Sequence, residues 1–209
     1  MRNTLKTAAI VLALTASASH GEELAPDALV KTISLDVLAA IQKDKDIQGG
    51  NPKKIASLVE AKILPHFDFA HTTRIAMGAN WRRASPEQRE QLVREFRTLL
   101  VRTYSSALAS FRDQVLEFKP LRAQPGDMQV TVRSEVRQSG TQAVSIDYEM
   151  EKTPSGWKVY DVKISGASLA ATYRDTFAEE IRNHGIEGLI DSLSSKNRQN
   201  EARRASINT

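Results

Sequence analysis

The chain has 209 residues, of which 41% are hydrophobic, 26% are charged and 6% are aromatic. This composition is typical of a globular protein and excludes a wholly disordered chain. The sequence contains no cysteine, which excludes disulfides, thiolate metal sites and a cysteine nucleophile. Its net charge of +4 comes from 29 basic and 25 acidic residues spread along the chain. Nucleic-acid-binding domains usually carry a denser basic stripe, so we expect no nucleic acid among its partners.

The first 18 residues have the features of an export signal. Arg2 and Lys6 precede a short apolar run over residues 8–14, and Ala16-Ser17-Ala18 places small residues where a signal peptidase cleaves. The run is shorter than the roughly 20 apolar residues that span a bilayer. We therefore predict a cleavable signal peptide at 1–18 and an exported mature chain, with a buried N-terminal helix as the alternative.

Helical periodicity begins at Pro26. Apolar residues recur at intervals of three and four between Leu29 and Ile41. Asn51 is placed to cap a second helix that ends near Pro65, and Asp68 is placed to cap a third. The sequence therefore predicts three helices before residue 78.

A longer helix is predicted from Ser85-Pro86-Glu87-Gln88. The serine can cap the first turn, the proline fits its first position, and Gln88 can reach back to the cap. The helix carries a wide apolar stripe, as expected of a helix that packs on other elements; the stripe includes Leu92, Phe96, Leu99, Leu100, Tyr104 and Leu108.

The period then changes from about 3.6 to 2. Apolar and polar residues alternate over 128–136 and again over 144–151, and Ser139-Gly140 and Pro154-Ser155-Gly156 mark the turns. With Val115 to Lys119 before them and Trp157 to Ile164 after them, these segments predict a four-stranded antiparallel meander. One face of such a sheet is usually apolar and the other solvated.

The helical period returns after Gly166 through Leu169, Tyr173 and Phe177, and His184-Gly185 predicts the end of that helix. One more helix follows, and the polar residues 196–209 are predicted to form a flexible tail. The fold class is therefore α+β, with one domain over residues 19–195. Four strands cannot cover so many apolar helical faces in a flat stack. Either the helices form a core of their own, or the sheet and the helices enclose a cavity.

Two patterns resemble catalytic or metal sites. Gly166-Ala167-Ser168-Leu169-Ala170 is close to the nucleophile elbow of hydrolases, but it lacks the last glycine and follows an antiparallel sheet. A helix cap at Ser165 or Ser168 is the favoured interpretation. His66 and His71 flank Asp68 but match no zinc spacing, so we expect no metal site.

Asp161 is the one acid that strand alternation places on the inner face, since it shares that face with Trp157 and Val159. An acid inside a cone-shaped fold could abstract a proton next to a carbonyl group. A structural aspartate paired with lysine or arginine is the simpler interpretation. The aromatic residues of the helices and strands either fill the core or line a cavity for an apolar ligand.

Several short segments, taken in order, resemble one protein family. They are Ile63 to Phe69, Arg74, Met77-Gly78, Trp81-Arg82, Ser85 to Gln88, Phe96, Leu99 to Tyr104, Trp157 to Val162, Gly166, Ser168-Leu169, Tyr173-Arg174, Phe177 and Gly188-Leu189. From about Leu24 to Leu193 the chain resembles the MlaC, or toluene-tolerance, family of periplasmic phospholipid-binding proteins.

The resemblance implies an NTF2-like curved antiparallel sheet with an N-terminal helical extension and C-terminal helices around an apolar pocket. It implies a periplasmic, monomeric carrier that is not an enzyme and that holds phospholipid as cargo, without a cofactor. Its partners would be an outer-membrane lipoprotein–porin complex and an inner-membrane ABC transporter with an MCE-domain ring. Such a carrier would help to maintain the lipid asymmetry of the outer membrane.

The lipid pocket is assigned to apolar positions that the sequence pattern independently places inside. These are Phe96, Leu99, Leu100, Tyr104, Leu108, Val132, Val144, Ile146, Tyr148, Leu169, Tyr173 and Phe177. Two alternatives stay open: a small-molecule enzyme that uses Asp161, and an export-compartment adaptor or chaperone with a solid core.

Overall fold

The structure is a computed structural model that describes residues 24–108 and 114–207, with the backbone alone for Ser106 and 203–207. The predicted signal peptide lies outside the described residues. The helices are α1 (Pro26–Lys43), α2 (Lys45–Gln48), α3 (Pro52–Lys62), α4 (Phe69–Met77), α5 (Pro86–Leu108) and α6 (Arg174–Ile207). The strands are β1 (Val115–Phe118), β2 (Gln129–Arg137), β3 (Val144–Thr153), β4 (Gly156–Ile164) and β5 (Ala167–Ser168). Across these ranges no helix combines the length and the apolar character needed to cross a membrane.

The predicted helix starts are confirmed by their capping bonds. The Asn51 side chain accepts hydrogen bonds from the N–H groups of residues 53 and 54, and Asp68 Oδ1 accepts one from His71 N at 2.8 Å. At the start of α5, Gln88 N donates to Ser85 Oγ at 3.2 Å and Ser85 N donates to Gln88 Oε1 at 2.9 Å. These reciprocal bonds form the capping box that the sequence predicts.

In the described part of the chain the sheet has five antiparallel strands in the order β1-β2-β3-β4-β5, so the α+β prediction is confirmed, with one short strand beyond the four that alternation indicates. The additional strand is two residues long and pairs Ser168 with Lys163 of β4. A strand of this length is too short to show an alternating pattern. The β3–β4 register also shifts, because Met150 faces Val159 while Glu149 faces Asp161. Tyr160 is therefore the extra residue of a β-bulge.

The buried residues form three clusters. The helical cluster joins α4, α5 and α6 around Phe96 and Phe177, whose ring centroids lie 5.0 Å apart. The N-terminal cluster joins α1, α2 and α3 around Ile41 and Ile55. The sheet cluster joins the inner face of the strands with Val30 of α1. The helices thus have a core of their own, and the space between the clusters is available for cavities.

The C-terminal segment differs from the prediction. Gly185 interrupts α6 with φ 73° and ψ −176°, as expected from His184-Gly185, but the helix then continues to Ile207. Asn197 is only 4% exposed, and its Nδ2 donates to the carbonyl oxygen and the carboxylate of Glu95 on α5 at 3.0 and 2.7 Å. Arg102 donates to the Asn197 carbonyl. The segment predicted as a flexible tail is thus helical as far as Ile207, and a buried amide joins its beginning to α5.

Replacing Asn197 with alanine tests this attachment. Asn197→Ala removes two hydrogen bonds to Glu95 and is expected to lower the free energy of unfolding by about 1–3 kcal/mol. Gln199→Ala is the control, since Gln199 is exposed on the same turn of helix and should change stability by less than about 0.5 kcal/mol. Denaturant titration followed by circular dichroism measures both variants. Equal stability of the two variants would contradict the attachment.

Candidate functional site

Two apolar cavities lie between the clusters. The first, here called the α5 cavity, has a volume of about 190 Å³, and its wall includes Val59, Leu64, Phe69, Leu100, Tyr104 and Leu169. The second, here called the α1 cavity, has a volume of about 220 Å³, and its wall includes Val30, Val37, Ile41, Leu116, Ile146 and Tyr148. Together they fall within the roughly 300–1,000 Å³ of small-molecule sites.

The two cavities are neighbours. Ile63, Phe67 and Leu108 line both of them, so three apolar side chains form the partition between them. Two of these residues lie between α3 and α4, and the third lies on the last turn of α5. The two cavities therefore share part of their walls.

Local sequence periodicity places the cavity walls. Leu100, Tyr104 and Leu108 follow one another at four-residue intervals and so lie on one face of α5. On β3, Ile146 and Tyr148 are two residues apart and lie on one face of the sheet. The α5 cavity is thus enclosed by helices and the β4–β5 edge, and the α1 cavity by α1 and the strands.

The titratable groups at the α1 cavity have pKa values shifted in favour of their uncharged forms. Burial raises the pKa of the Tyr148 phenol above its ordinary value, and hydrogen bonds with Ser134 and Ser34 oppose that shift. Burial also lowers the pKa of the His66 imidazole, with a smaller contribution in the same direction from the positive charge of Lys158. Both groups favour their uncharged forms, which suits a cavity for apolar groups.

Asp161 lies in the wall of the α5 cavity, so the prediction that it faces inward is confirmed. Its Oδ1 accepts hydrogen bonds from Val162 N at 2.9 Å and from Ala170 N at 3.2 Å. These partners are backbone N–H groups rather than the lysine or arginine that we expected. The carboxylate therefore joins the end of β4 to the segment that leads into α6.

The other candidate chemical residues have local partners. Ser168 Oγ accepts a hydrogen bond from Ala171 N at 2.9 Å, as in the favoured interpretation of a cap. His71 Nδ1 lies 2.7 Å from Glu151 Oε1, and its ring stacks on Tyr160 with centroids 4.1 Å apart. Within residues 24–108 and 114–207, no three His, Asp or Glu side chains are grouped to hold a metal ion.

Comparison with known proteins decides the family. Residues 31–195 match the family described as MlaC protein. The chain belongs to the MlaC family. The resemblance found in the sequence is thereby confirmed.

Individual relatives agree with this assignment. The chain is 23% identical to toluene tolerance protein ttg2D of Pseudomonas putida over 161 residues, which cover 77% of this chain and 74% of that protein. It is 22% identical to the intermembrane phospholipid transport system binding protein MlaC of Haemophilus influenzae over 174 residues, which cover 82% and 81% of the two chains.

A solved structure resembles the whole fold. The phospholipid-binding protein from Ralstonia solanacearum, determined in complex with a phospholipid, is 47% identical to this chain. The two structures superimpose with a TM-score of 0.77 over 84% of this chain and 98% of that chain. The α+β architecture described above is therefore the architecture of an MlaC-family protein.

The structure brings together half of the twelve residues that the sequence assigned to the pocket of this MlaC-family chain. The residues that line the two apolar cavities are Leu100, Tyr104, Leu108, Ile146, Tyr148 and Leu169. Phe96, Leu99, Tyr173 and Phe177 pack in the helical cluster, where burial raises the pKa of the Tyr173 phenol to about 12. Leu99, Tyr173 and Phe177 also line a third, more polar cavity of about 270 Å³ between α5 and α6. Val132 is buried in the sheet cluster.

Val144 is corrected by the structure. It is 38% exposed, lies at the first position of β3 and lines neither apolar cavity. The sequence assignment also missed the contributions of α1, α3 and the segment after α3, which include Val37, Ile63, Leu64 and Phe67. The helical period from 29 to 63 signals burial but does not distinguish a cavity wall from a packed core.

Substitution of Asp161 separates its structural role from its charge. Asp161→Ala leaves the buried N–H of Ala170 without its acceptor and is expected to lower the free energy of unfolding by about 1–3 kcal/mol. Asp161→Asn keeps an acceptor oxygen, so its free energy of unfolding should fall clearly less. Thermal or denaturant unfolding measures both variants. Equal losses would contradict this role, because the negative charge rather than the acceptor would then be responsible.

Proposed function

We propose that this MlaC-family protein is a periplasmic phospholipid carrier, and that the α5 and α1 cavities receive the acyl chains of its cargo. The observation that carries the proposal is the pair of adjacent apolar cavities behind one three-residue partition. The Ralstonia solanacearum neighbour, which holds a phospholipid, supports the ligand class. The name of the Haemophilus influenzae relative supports a role in transport between membranes.

The energetics of lipid transfer explain why such a carrier needs apolar cavities. A phospholipid with two chains has about 30 methylenes, and each contributes about 0.8 kcal/mol when it is removed from water. Exposure of both chains therefore costs roughly 20–25 kcal/mol, which prevents free transfer through water. A carrier has to replace the apolar contacts of the bilayer almost completely, but without so much excess that it fails to release the lipid.

The form of the cavities fits this requirement. Each cavity alone is smaller than the roughly 300–1,000 Å³ of typical ligand sites, so we infer that loading widens both of them by displacing the partition. Separation into two compartments matches the two chains of one lipid. Walls of this kind, apolar apart from a few polar groups, recognise chains through burial rather than through specific bonds.

The route of the lipid is part of the proposal. The carrier exchanges lipid with an outer-membrane lipoprotein–porin complex and with an inner-membrane ABC transporter that carries an MCE-domain ring, and so maintains the asymmetry of the outer membrane. Cleavage at residue 18 would remove Arg2 and Lys6 and reduce the net charge from +4 to +2. A small net charge suits transient contact with two membrane complexes better than tight attachment to anionic lipid.

Tryptophan substitutions in the cavities test lipid binding. Leu100→Trp in the α5 cavity and Ile146→Trp in the α1 cavity each occupy space that an acyl chain would fill. Displacement of about four methylenes costs about 3 kcal/mol, so affinity for phospholipid should fall by about two orders of magnitude. The measurement is bound phospholipid per protein, by native mass spectrometry and phosphorus assay, after incubation of delipidated protein with phosphatidylglycerol vesicles.

Met128→Trp is the matched control for these variants. Met128 is 60% exposed before β2 and lines neither apolar cavity, so its substitution should leave lipid binding unchanged. Folded wild-type protein that contains no lipid and takes none up would reject the proposal. If Asp161→Asn abolished turnover of a small molecule without affecting lipid binding, the alternative of an enzyme would be favoured instead.

Exchange with the two membrane complexes tests the route. Protein loaded with a fluorescent phospholipid is expected to lose it faster to vesicles that contain the inner-membrane transporter than to protein-free vesicles of the same lipid composition. The same comparison applies to vesicles with the outer-membrane complex. Fluorescence dequenching follows the transfer. Rates that do not depend on either complex would contradict the shuttle while leaving lipid binding intact.

A further inference from the structure

A polar groove lies on the outer side of α3 and α5. We call it the arginine groove; it has a volume of about 660 Å³, and its charged wall consists of Lys53, Glu60, Arg94, Arg97, Arg102 and Glu201. Four of these residues are basic and two are acidic, so the groove carries an excess of two positive charges. A concave surface with such an excess attracts anions.

Arg97 is a cation of this groove with an easily displaced side-chain partner. Its Nη2 lies 3.5 Å from Glu60 Oε1, and the two side chains are 42% and 74% exposed. An exposed ion pair of this kind contributes at most about 1 kcal/mol. Arg102, in contrast, donates to the Asn197 carbonyl and pairs with Glu201 at 3.1 Å, so it holds α6 against α5.

The arginine groove adjoins the α5 cavity. Leu64 and Val101 line both spaces, so the same two side chains separate a basic surface from an apolar one. The guanidinium carbon of Arg97 also lies 5.7 Å from the centre of the Phe69 ring, and Phe69 is a wall residue of the α5 cavity. A cation is thereby held at the border of a space suited to an acyl chain.

We propose that the arginine groove binds the phosphate group of the cargo lipid, with Arg97 as its principal cation. This assignment rests on the proposed function, since it needs an acyl chain in the α5 cavity. The planar guanidinium of arginine can donate two parallel hydrogen bonds to phosphate oxygens. Glu60 competes with the phosphate for Arg97, so loading exchanges one exposed carboxylate partner for a phosphate.

The experiment compares two ligands that share their acyl chains. Delipidated full-length protein is incubated with dioleoylphosphatidylglycerol or with dioleoylglycerol, which lacks the phosphate, and the dissociation constant of each is measured by fluorescence competition. Arg97→Gln is expected to weaken binding of the phospholipid about tenfold and to leave binding of dioleoylglycerol unchanged. Arg182→Gln is the control, because it removes the same charge from an exposed position on α6 outside the groove.

Substitution of the competing carboxylate gives an effect of opposite sign. Glu60→Gln removes the negative partner of Arg97 and should strengthen binding of the phospholipid by about threefold, again without an effect on dioleoylglycerol. A purely structural role of the Arg97–Glu60 pair would weaken binding in both variants. Opposite effects of the two substitutions on the phospholipid alone would therefore support the assignment.

Four results would overturn it. If Arg97→Gln weakened the binding of both ligands equally, the residue would stabilise the cavity rather than bind the phosphate. Binding of inorganic phosphate that depends on Arg97, with phospholipid binding unaffected by Arg97→Gln, would make the groove a site for the free anion. If the wild-type protein and every variant bound dioleoylglycerol and phospholipid equally well, phosphate recognition in the groove would be excluded but the carrier function would stand. If the wild-type protein bound neither ligand, both proposals would be rejected.

Discussion

The packing of α5 against α6 is the interaction on which both cavities depend. Phe96 of α5 and Phe177 of α6 are almost completely buried, and their rings meet edge to face at 5.0 Å. Protein interiors normally pack at the density of organic crystals. A helix with apolar residues on several sides would therefore be expected to pack tightly against every neighbour. Because α6 fixes α5 through Phe96, the residues that follow Phe96 on the same stripe, Leu100, Tyr104 and Leu108, can border a cavity without loss of the fold.

Polar bonds at the edges keep the surrounding elements in place. Asp161 joins β4 to the segment before α6, the β-bulge at Tyr160 adjusts the face of the strand next to it, and Asn197 joins the end of α6 to α5. The bonds of Asp161 and Asn197 each connect two different elements of the fold. A structure with cavities between its clusters relies on such links more than a solid core does, because fewer apolar contacts cross the open space.

Much of the fold could be predicted from the sequence, but the division between core and cavity could not. The caps at Asn51, Asp68 and Ser85 depend on neighbouring residues, so local patterns were sufficient for them. Phe96 and Leu100 lie four residues apart on one apolar stripe and both belong to the helical cluster, yet only Leu100 also lines the α5 cavity. Periodicity reports which face is buried and not what lies opposite it. For the same reason the burial of Asn197, which depends on a partner about 100 residues away, has no local signal.

In the proposed complex, affinity and selectivity for an amphiphile arise in different parts of the molecule. The chains supply nearly all of the binding free energy, because their burial scales with area and is almost independent of the headgroup. A phosphate at Arg97 replaces an exposed carboxylate, so its net contribution is small, on the order of 1 kcal/mol. A small polar contribution is an advantage for a carrier, since it favours phospholipids over uncharged lipids without making release slow. A fully buried arginine would discriminate more strongly in favour of phospholipids, but it would also slow the release of the lipid. The half-exposed position of Arg97 avoids that slow release.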